Sequence, residues 1–347
     1  MNPENLRKLV QRYRNRPCEE VDHPVNRQGM WDPLQLRVQQ TTLLNAPFSE
    51  TLNDLDIALV GVPFDLGVTQ RPGARYGPKA VRHQFDGIGP LNHQSKVNPF
   101  TLCRIADIGD VDLQTFDLDT GLQKIEQFYT RLRSAAVTPV TVGGDHSITY
   151  PILKTLGGNE SVGLIHIDAH CDTMGAIDGT KFHHGGPFLH AVLDGVLDPT
   201  RTIQIGIRGA AEVFWEFSYE SGMTVVHIED FEDLGVKRVI EMAKEVVGNG
   251  PTYISFDIDG LDPAFAPGTG TPEVGGLTPR EAISLLRGLR GLNIIGGDVV
   301  EIAPDYDPTY VTAQVGKQML FEILCLTAES CAKHKQEEQL LQKGENL

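Results

Sequence analysis

The sequence predicts an α/β fold in which a mostly parallel sheet carries helices on both of its faces. Short β-branched runs alternate with helical stretches from residue 56 to residue 333. Several of these runs are apolar along their whole length, which is typical of strands buried on both faces of a parallel sheet. Three runs end in clusters of Asp and His residues, and open α/β sheets place their sites at the carboxyl ends of their strands.

The alternation begins with the apolar run at residues 57–62, which predicts the first strand. Gly77 and Pro78 predict a helix from Lys79 onward, because proline is favoured in the first turn of a helix. Later strands are predicted at residues 104–108, 138–142, 161–167, 201–207, 223–227, 252–256 and 294–300. Later helices are predicted near residues 120–135, 147–157, 186–195, 235–246, 278–290 and 311–333.

Two segments flank this region. Residues 1–54 have a helix-like start followed by a stretch rich in Pro, Asn and Gln, and they predict an N-terminal arm or cap outside the core. Residues 55–334 are the predicted catalytic domain, and the charged tail at residues 335–347 is expected to be frayed. An arm that closed over a pocket would favour small substrates, whereas an arm that packed on a neighbouring subunit would not.

Composition limits the classes of partner. The formal net charge of −16 and the lack of a basic run argue against nucleic acid or an anionic membrane surface, and they are compatible with a small cationic substrate. Neither a secretory signal nor a run of about 18 apolar residues is present, so a cytoplasmic protein is predicted. The five cysteines are scattered and are expected to be structural free thiols.

Three short fragments that follow predicted strands concentrate Asp and His residues. They read Gly-Gly-Asp-His-Ser at residues 143–147, Asp-Ala-His-Cys-Asp at 168–172, and Ser-Phe-Asp-Ile-Asp-Gly-Leu-Asp-Pro at 255–263. In the second fragment three potential ligands occupy alternate positions, and alternate side chains of an extended strand end point the same way. The candidate metal ligands are His146, Asp168, His170, Asp172, Asp257 and Asp259.

Four carboxylates and two imidazoles suit manganese, nickel or another divalent first-row ion better than a metal that prefers thiolates. With two bridging aspartates, these six side chains can hold two ions about 3.5–4 Å apart. A single aspartate is more often a helix cap or turn residue, and Asp145 and Asp262 are expected to be such cases. Capping does not explain why carboxylates and histidines recur at strand ends, so the sequence predicts a binuclear metallohydrolase.

The three fragments, the last extended to Ala-Phe-Ala-Pro-Gly-Thr-Gly-Thr-Pro, resemble the signatures of the ureohydrolases, the arginase and agmatinase superfamily. The resemblance implies a three-layer αβα arginase-like fold, two Mn²⁺ or Ni²⁺ ions per chain, and a homo-oligomer, either a trimer or a hexamer. It also implies that Asp168 and Asp257 bridge the ions. The first ion would then be completed by His146 and Asp172, and the second by His170 and Asp259.

Two further residues match positions of this family. His184 lies in His-His-Gly-Gly-Pro-Phe, and the resemblance implies that it shuttles a proton to the departing amine. Glu301 follows the last predicted strand, and the resemblance implies that its carboxylate pairs with a guanidinium group.

The loop at residues 173–182 lacks the Asn and Ser pattern with which arginases hold an amino-acid head group, so arginine is disfavoured. Guanidine, guanidinobutyrate, guanidinopropionate and agmatine remain as candidate substrates, each giving urea and an amine or ammonium. Two alternatives stay open: a hydrolase of another linear amidine, such as a formimino compound, and a catalytically silent scaffold subunit.

Overall fold

The computed structural model describes residues 2–13, 41–84, 89–158, 160–209 and 212–342. One sheet runs through these residues, and its neighbouring strands are all parallel, in the order β2-β1-β3-β8-β7-β4-β5-β6. The strands are β1 (Ile57–Gly61), β2 (Ile105–Asp110), β3 (Thr138–Val142), β4 (Val162–Ile167), β5 (Leu197–Ile207), β6 (Thr224–His227), β7 (Thr252–Asp257) and β8 (Ile294–Val300). This arrangement confirms the predicted α/β class.

The α-helices are α1 (Pro3–Tyr13), α2 (Gly77–Arg82), α3 (Pro99–Leu102), α4 (Leu118–Ser134), α5 (Thr149–Leu156), α6 (Pro187–Leu193), α7 (Glu216–Ser221), α8 (Ile228–Val247), α9 (Pro279–Gly288) and α10 (Val311–Gln342). Capping groups mark several starts. Thr278 and Glu281 form a reciprocal capping box at the start of α9, and Asp117 accepts the Thr120 N–H at the start of α4.

Two apolar layers cover the two faces of the sheet, because successive strand residues point to opposite sides. Leu59 and its equivalents on other strands join a core cluster that includes residues of α8, α9 and α10. Val60 and its equivalents join a second cluster that includes residues of α4, α5 and α6. The protein is therefore a three-layer αβα sandwich, as the sequence indicates.

The strand order brings distant segments of the chain together. Strand β8 lies between β3 and β7, and β7 pairs with β4. In a parallel sheet the carboxyl ends of all strands meet at one edge, so the loops after β3, β4, β7 and β8 are neighbours there.

Residues 14–40, which make up most of the predicted arm, lie outside the described residues, so the arm's role stays a prediction. Residues 41–49 line the edge of the sheet, where Asp107 N–H donates to the Pro47 carbonyl and Ser49 N–H to the Asp107 carbonyl.

The last helix, α10, extends to Gln342 and not only to residue 333. An ion pair of 2.5 Å from Lys335 Nζ to Asp56 Oδ1 holds this extension against the sheet. No helix in the described part of the chain is long and apolar enough to cross a bilayer.

Candidate metal centre and adjoining pocket

The loops after β3, β4 and β7 bring the predicted ligands into two groups. In the first group, His146 Nδ1 lies 2.9 Å from Asp172 Oδ2, 3.2 Å from Asp168 Oδ2 and 3.2 Å from Asp257 Oδ2. These four residues offer ligand atoms that all lie within 4.8 Å of one another.

The second group adjoins the first. His170 Nδ1 lies 3.2 Å from Asp259 Oδ2 and 3.5 Å from Asp168 Oδ1. Asp168 belongs to both groups, one oxygen facing each histidine, as a bridging ligand requires. Of the two candidate histidine ligands, Asp257 lies close only to His146, and its bridging role stays a prediction.

Backbone hydrogen bonds orient the carboxylates of the two groups. Asp168 Oδ1 accepts from His170 N–H at 2.6 Å, and Asp257 Oδ1 accepts from Asp259 N–H at 2.8 Å. Asp259 Oδ1 accepts from Ala169 N–H at 3.1 Å. The second oxygen of each group stays directed at a histidine, so the ligand atoms are preorganised.

His146 has a defined tautomer. Ser255 Oγ donates to Asp298 Oδ1 at 2.7 Å, so Ser255 accepts the Nε2–H of His146, at 2.8 Å. The buried Nδ1 therefore directs a lone pair at three carboxylates, and it has no hydrogen-bond partner. A lone pair facing carboxylate oxygens is unfavourable without a cation between them, so these residues fit a divalent ion.

The charges of the four aspartates in the two groups also fit divalent ions. Among the described residues, no Lys or Arg forms an ion pair with Asp168, Asp172, Asp257 or Asp259. Burial, together with the charges of Asp259 and Asp168, raises the pKa of Asp257 well above its ordinary value. Bound cations would remove this repulsion.

A cavity of about 480 Å³ opens over both groups. Its wall includes Thr69, Gln70, Arg71, His170, Asp172, Met174, Ile177, His184, Phe214, Trp215, Asp257, Asp259, Thr271 and Glu273. Residues of both ligand groups therefore form part of the surface that a small molecule in the cavity would contact.

Glu301 is buried beside this cavity, directly after β8. Its Oε1 accepts from the His146 N–H at 2.9 Å and faces His184 Nδ1 at 2.8 Å. Its buried Oε2 has no partner, and a Cβ added to the cavity residue Gly270 would lie 3.7 Å from it. Glu301 has a φ of 62°, in the left-handed region that non-glycine residues rarely adopt. The chain thus maintains a costly backbone conformation and an unsatisfied oxygen at one place.

His184 links Glu301 to the cavity wall. Its Nε2 accepts from the Thr69 N–H at 3.1 Å and lies 2.7 Å from Thr69 Oγ1. Burial opposes protonation, but the charge and hydrogen bond of Glu301 raise the pKa of His184 to about 9. His184 is therefore suited to carry a proton, although nearby bound cations would oppose this effect.

The structure brings all eight predicted site residues together, and Asp145 and Asp262 have the turn roles expected of them. Sequence reasoning missed His166, Ser255 and Asp298, whose side chains support the ligands from behind. The spacing of His166 and Asp168 was an available signal, because strand residues two apart share a face.

Comparison with known proteins adds an independent line of information. A sequence model described as the Arginase family matches residues 55–326. The guanidinopropionase of Pseudomonas aeruginosa is 48% identical over 282 residues, which cover 80% of this chain and 89% of that protein. The mitochondrial agmatinase of Gallus gallus is 43% identical, with coverage of 82% and 85%.

The guanidinobutyrase of Pseudomonas aeruginosa is 42% identical, with coverage of 82% and 91%. Among solved structures, the proclavaminate amidino hydrolase of Streptomyces clavuligerus is similar with a TM-score of 0.81 and 35% identity, covering 84% of this chain and 98% of that one.

Proposed function

The chain belongs to the arginase family, and from this premise we propose that it hydrolyses a small non-arginine guanidino compound to urea and an amine or ammonium. The observation that carries the proposal is the unpartnered, buried Oε2 of Glu301 beside a cluster of uncompensated carboxylates. A guanidinium group has N–H donors in a planar fork, and a fixed carboxylate oxygen complements them.

We propose that the two groups of ligands hold two divalent ions, Mn²⁺ or Ni²⁺. The first would be held by His146, Asp168, Asp172 and Asp257, and the second by Asp168, His170, Asp257 and Asp259. When bound, such ions act as Lewis acids and lower the pKa of water enough to make it nucleophilic near neutral pH.

The remaining steps belong to side chains of the chain itself. Glu301 Oε2 would accept an N–H of the guanidinium group and so place its carbon beside the ligand cluster. His184 Nε2, beside the pocket residue Thr69, would take up the proton that the attacking water loses and pass it to the departing amine as the C–N bond breaks.

The cavity wall leaves the substrate tail open to experiment. Arg71 carries a fixed cation, held by the carbonyls of Thr269 and Gly270 and stacked on Tyr306. Glu273 carries a carboxylate on the same wall. The carboxylate of a guanidino acid could pair with Arg71, and the ammonium of an aminoalkyl guanidine such as agmatine could pair with Glu273. The trimer or hexamer and the cytoplasmic location stay predictions.

Urea release from purified, metal-loaded enzyme tests the proposal. We expect turnover of at least one of guanidine, guanidinopropionate, guanidinobutyrate and agmatine, with arginine the poorest substrate. Asp168→Asn should abolish this activity, whereas Asp110→Asn, at the end of β2 away from the ligands, should retain it. Best activity on arginine would refute the proposal, as would no urea from any guanidine by an enzyme that holds two ions.

A further inference from the structure

His166 is a fully buried histidine of β4 that the proposed mechanism does not use. Its Nε2 lies 2.6 Å from Asp168 Oδ2, and its Nδ1 lies 3.1 Å from Gln204 Nε2. Its ring packs against Phe188, with 4.4 Å between the ring centroids. Every polar atom of this ring is therefore engaged by the protein.

The orientation of Gln204 is fixed by a backbone carbonyl. Gln204 Nε2 lies 2.6 Å from the carbonyl oxygen of Cys171. A carbonyl only accepts hydrogen bonds, so the atom of Gln204 that faces it is the amide nitrogen. The amide oxygen of Gln204, Oε1, is buried without a partner. With the amide in this orientation its oxygen is unsatisfied, and its N–H group points at His166.

This orientation fixes the tautomer of His166. Since Gln204 donates to Nδ1, Nδ1 is the unprotonated nitrogen and the ring proton lies on Nε2. The Nε2–H then donates to Asp168 Oδ2, so a hydrogen-bonded chain runs from Gln204 on β5 through His166 to the ligand shared by both metal groups.

We propose that His166, held in the Nε2–H tautomer by Gln204, is a positioning residue that fixes Asp168 as the bridging ligand. Three side chains, His146, His166 and Asp168, could themselves form a metal site. The tautomer excludes His166 as a ligand, because ligation through Nε2 would place the proton on Nδ1, facing the Gln204 N–H. The proposal rests on the proposed binuclear centre.

The physical effect is on the geometry of Asp168. Asp168 directs one oxygen at His146 and the other at His170, and rotation about its Cβ–Cγ bond would move both oxygens away from the two ligand groups. The Asp168 Oδ1 atom is held by the His170 N–H, and the His166 Nε2–H holds Oδ2, so rotation is blocked at both ends. Loss of either support is expected to weaken metal binding about 10–100-fold, as outer partners of metal ligands usually do.

The first test reads the tautomer without any measurement of activity. Imidazole ¹⁵N chemical shifts would be recorded for protein labelled at histidine, first without metal and then loaded with Zn²⁺, which is diamagnetic and does not broaden the signals as Mn²⁺ would. The His166 signals would be assigned as those missing from His166→Gln. We expect a protonated Nε2 and an unprotonated Nδ1 in both states. An unprotonated Nε2 in the loaded protein would make His166 a ligand and overturn the proposal.

The second test separates the donated hydrogen bond from packing. His166→Phe keeps a ring beside Phe188 but removes the donor, whereas His166→Gln places an amide N–H within reach of Asp168. Competition with a chromogenic chelator would give the affinity for Mn²⁺ and for Ni²⁺. We expect about 10–100-fold weaker binding in His166→Phe and substantial recovery in His166→Gln.

His190→Phe is the matched control, because His190 is also a buried histidine but donates to the Lys181 carbonyl, away from the ligands. It should leave metal affinity unchanged. Equal affinities in His166→Phe and wild type, or equal losses in His166→Phe and His166→Gln, would refute the role of His166. Failure of the wild type to release urea while these affinity differences hold would refute only the proposed reaction.

Discussion

Two acidic clusters of the same sheet have different partners. In β2, the buried Asp107 accepts from Arg82 Nε at 2.9 Å and from Arg82 Nη2 at 3.0 Å. Asp110 pairs with the third nitrogen of the same guanidinium. The Leu43 and Gly109 N–H groups complete the shell of Asp107, so this cluster carries its own cation.

At the ends of β4 and β7, four carboxylates have histidines, backbone N–H groups and the Thr271 hydroxyl as partners, and no Lys or Arg of the described residues pairs with them. A buried charge that lacks a counter-charge is costly. The comparison teaches that buried carboxylates without a Lys or Arg partner indicate a cation-binding site more clearly than buried carboxylates alone do. The cluster at β2 has its own cation, and we propose that bound metal ions complete the other.

The sharpest way to break the comparison is to remove one carboxylate from each cluster. Asp168→Ala should lose metal and all measurable activity, because Asp168 serves both ligand groups. Asp107→Asn should keep two ions per chain but lower the free energy of unfolding by about 1–3 kcal/mol, because Arg82 loses its buried charged partner and keeps only the half-exposed Asp110. Elemental analysis and urea denaturation measure the two outcomes. Similar metal contents in both variants would contradict the distinction.

The next largest effect concerns a residue that contacts the pocket but belongs to neither cluster. His184→Ala should keep both ions and slow turnover by about 10²–10⁴-fold, the usual contribution of general acid catalysis. Metal content and kcat would be measured on the same preparation, with His183→Asn as the neighbouring control. Metal loss equal to that of Asp168→Ala would show that His184 is a ligand and not a proton carrier.

Metal removal should affect only the cluster that lacks its own cation. At a free ion concentration of about 1,000 times Kd, binding stabilises the folded state by about 4 kcal/mol, so chelation should lower the Tm of the wild type. Asp107→Asn should show the same drop on chelation, and Asp168→Ala almost none. An unchanged Tm of the wild type after chelation would indicate that bound ions do not stabilise the folded protein.

The smallest expected effect concerns another carboxylate that, like Asp107, has basic partners within the chain. Asp56 is a second carboxylate with built-in cations: burial opposes its ionisation, but hydrogen bonds from Arg104 and Lys335 lower its pKa from 3.8 to about 2. Because the folded pKa lies below the unfolded one, this stabilisation is present above pH 3.8 and is lost as the pH falls towards 2.

Lys335→Ala should therefore reduce stability by less than about 1 kcal/mol near neutral pH, since the lysine is partly exposed. The urea-unfolding midpoints of variant and wild type should converge as Asp56 becomes protonated, and activity should not change. A difference that grows on acidification would contradict the assigned pairing.

The sequence predicted the strands well because each is a compact β-branched run whose pattern is local. It was less successful with the end of α10, where the ion pair from Lys335 to Asp56 joins residues far apart in the chain. The short helices α3 and α7 also escaped prediction, because four to six residues carry little periodic signal.

By itself, the sequence determined which candidate ligands are present and their order along the chain. Alternate Asp and His residues after buried strands indicate a mixed oxygen and nitrogen site in any fold that keeps those strands parallel. Only the tertiary structure decided which groups became neighbours. Strand β8 lies between β3 and β7, so Glu301 meets His146 and His184, and β5 lies beside β4, so Gln204 meets His166. Strand order is a non-local property, since each pairing depends on how the whole sheet buries its two faces, and no short motif encodes it.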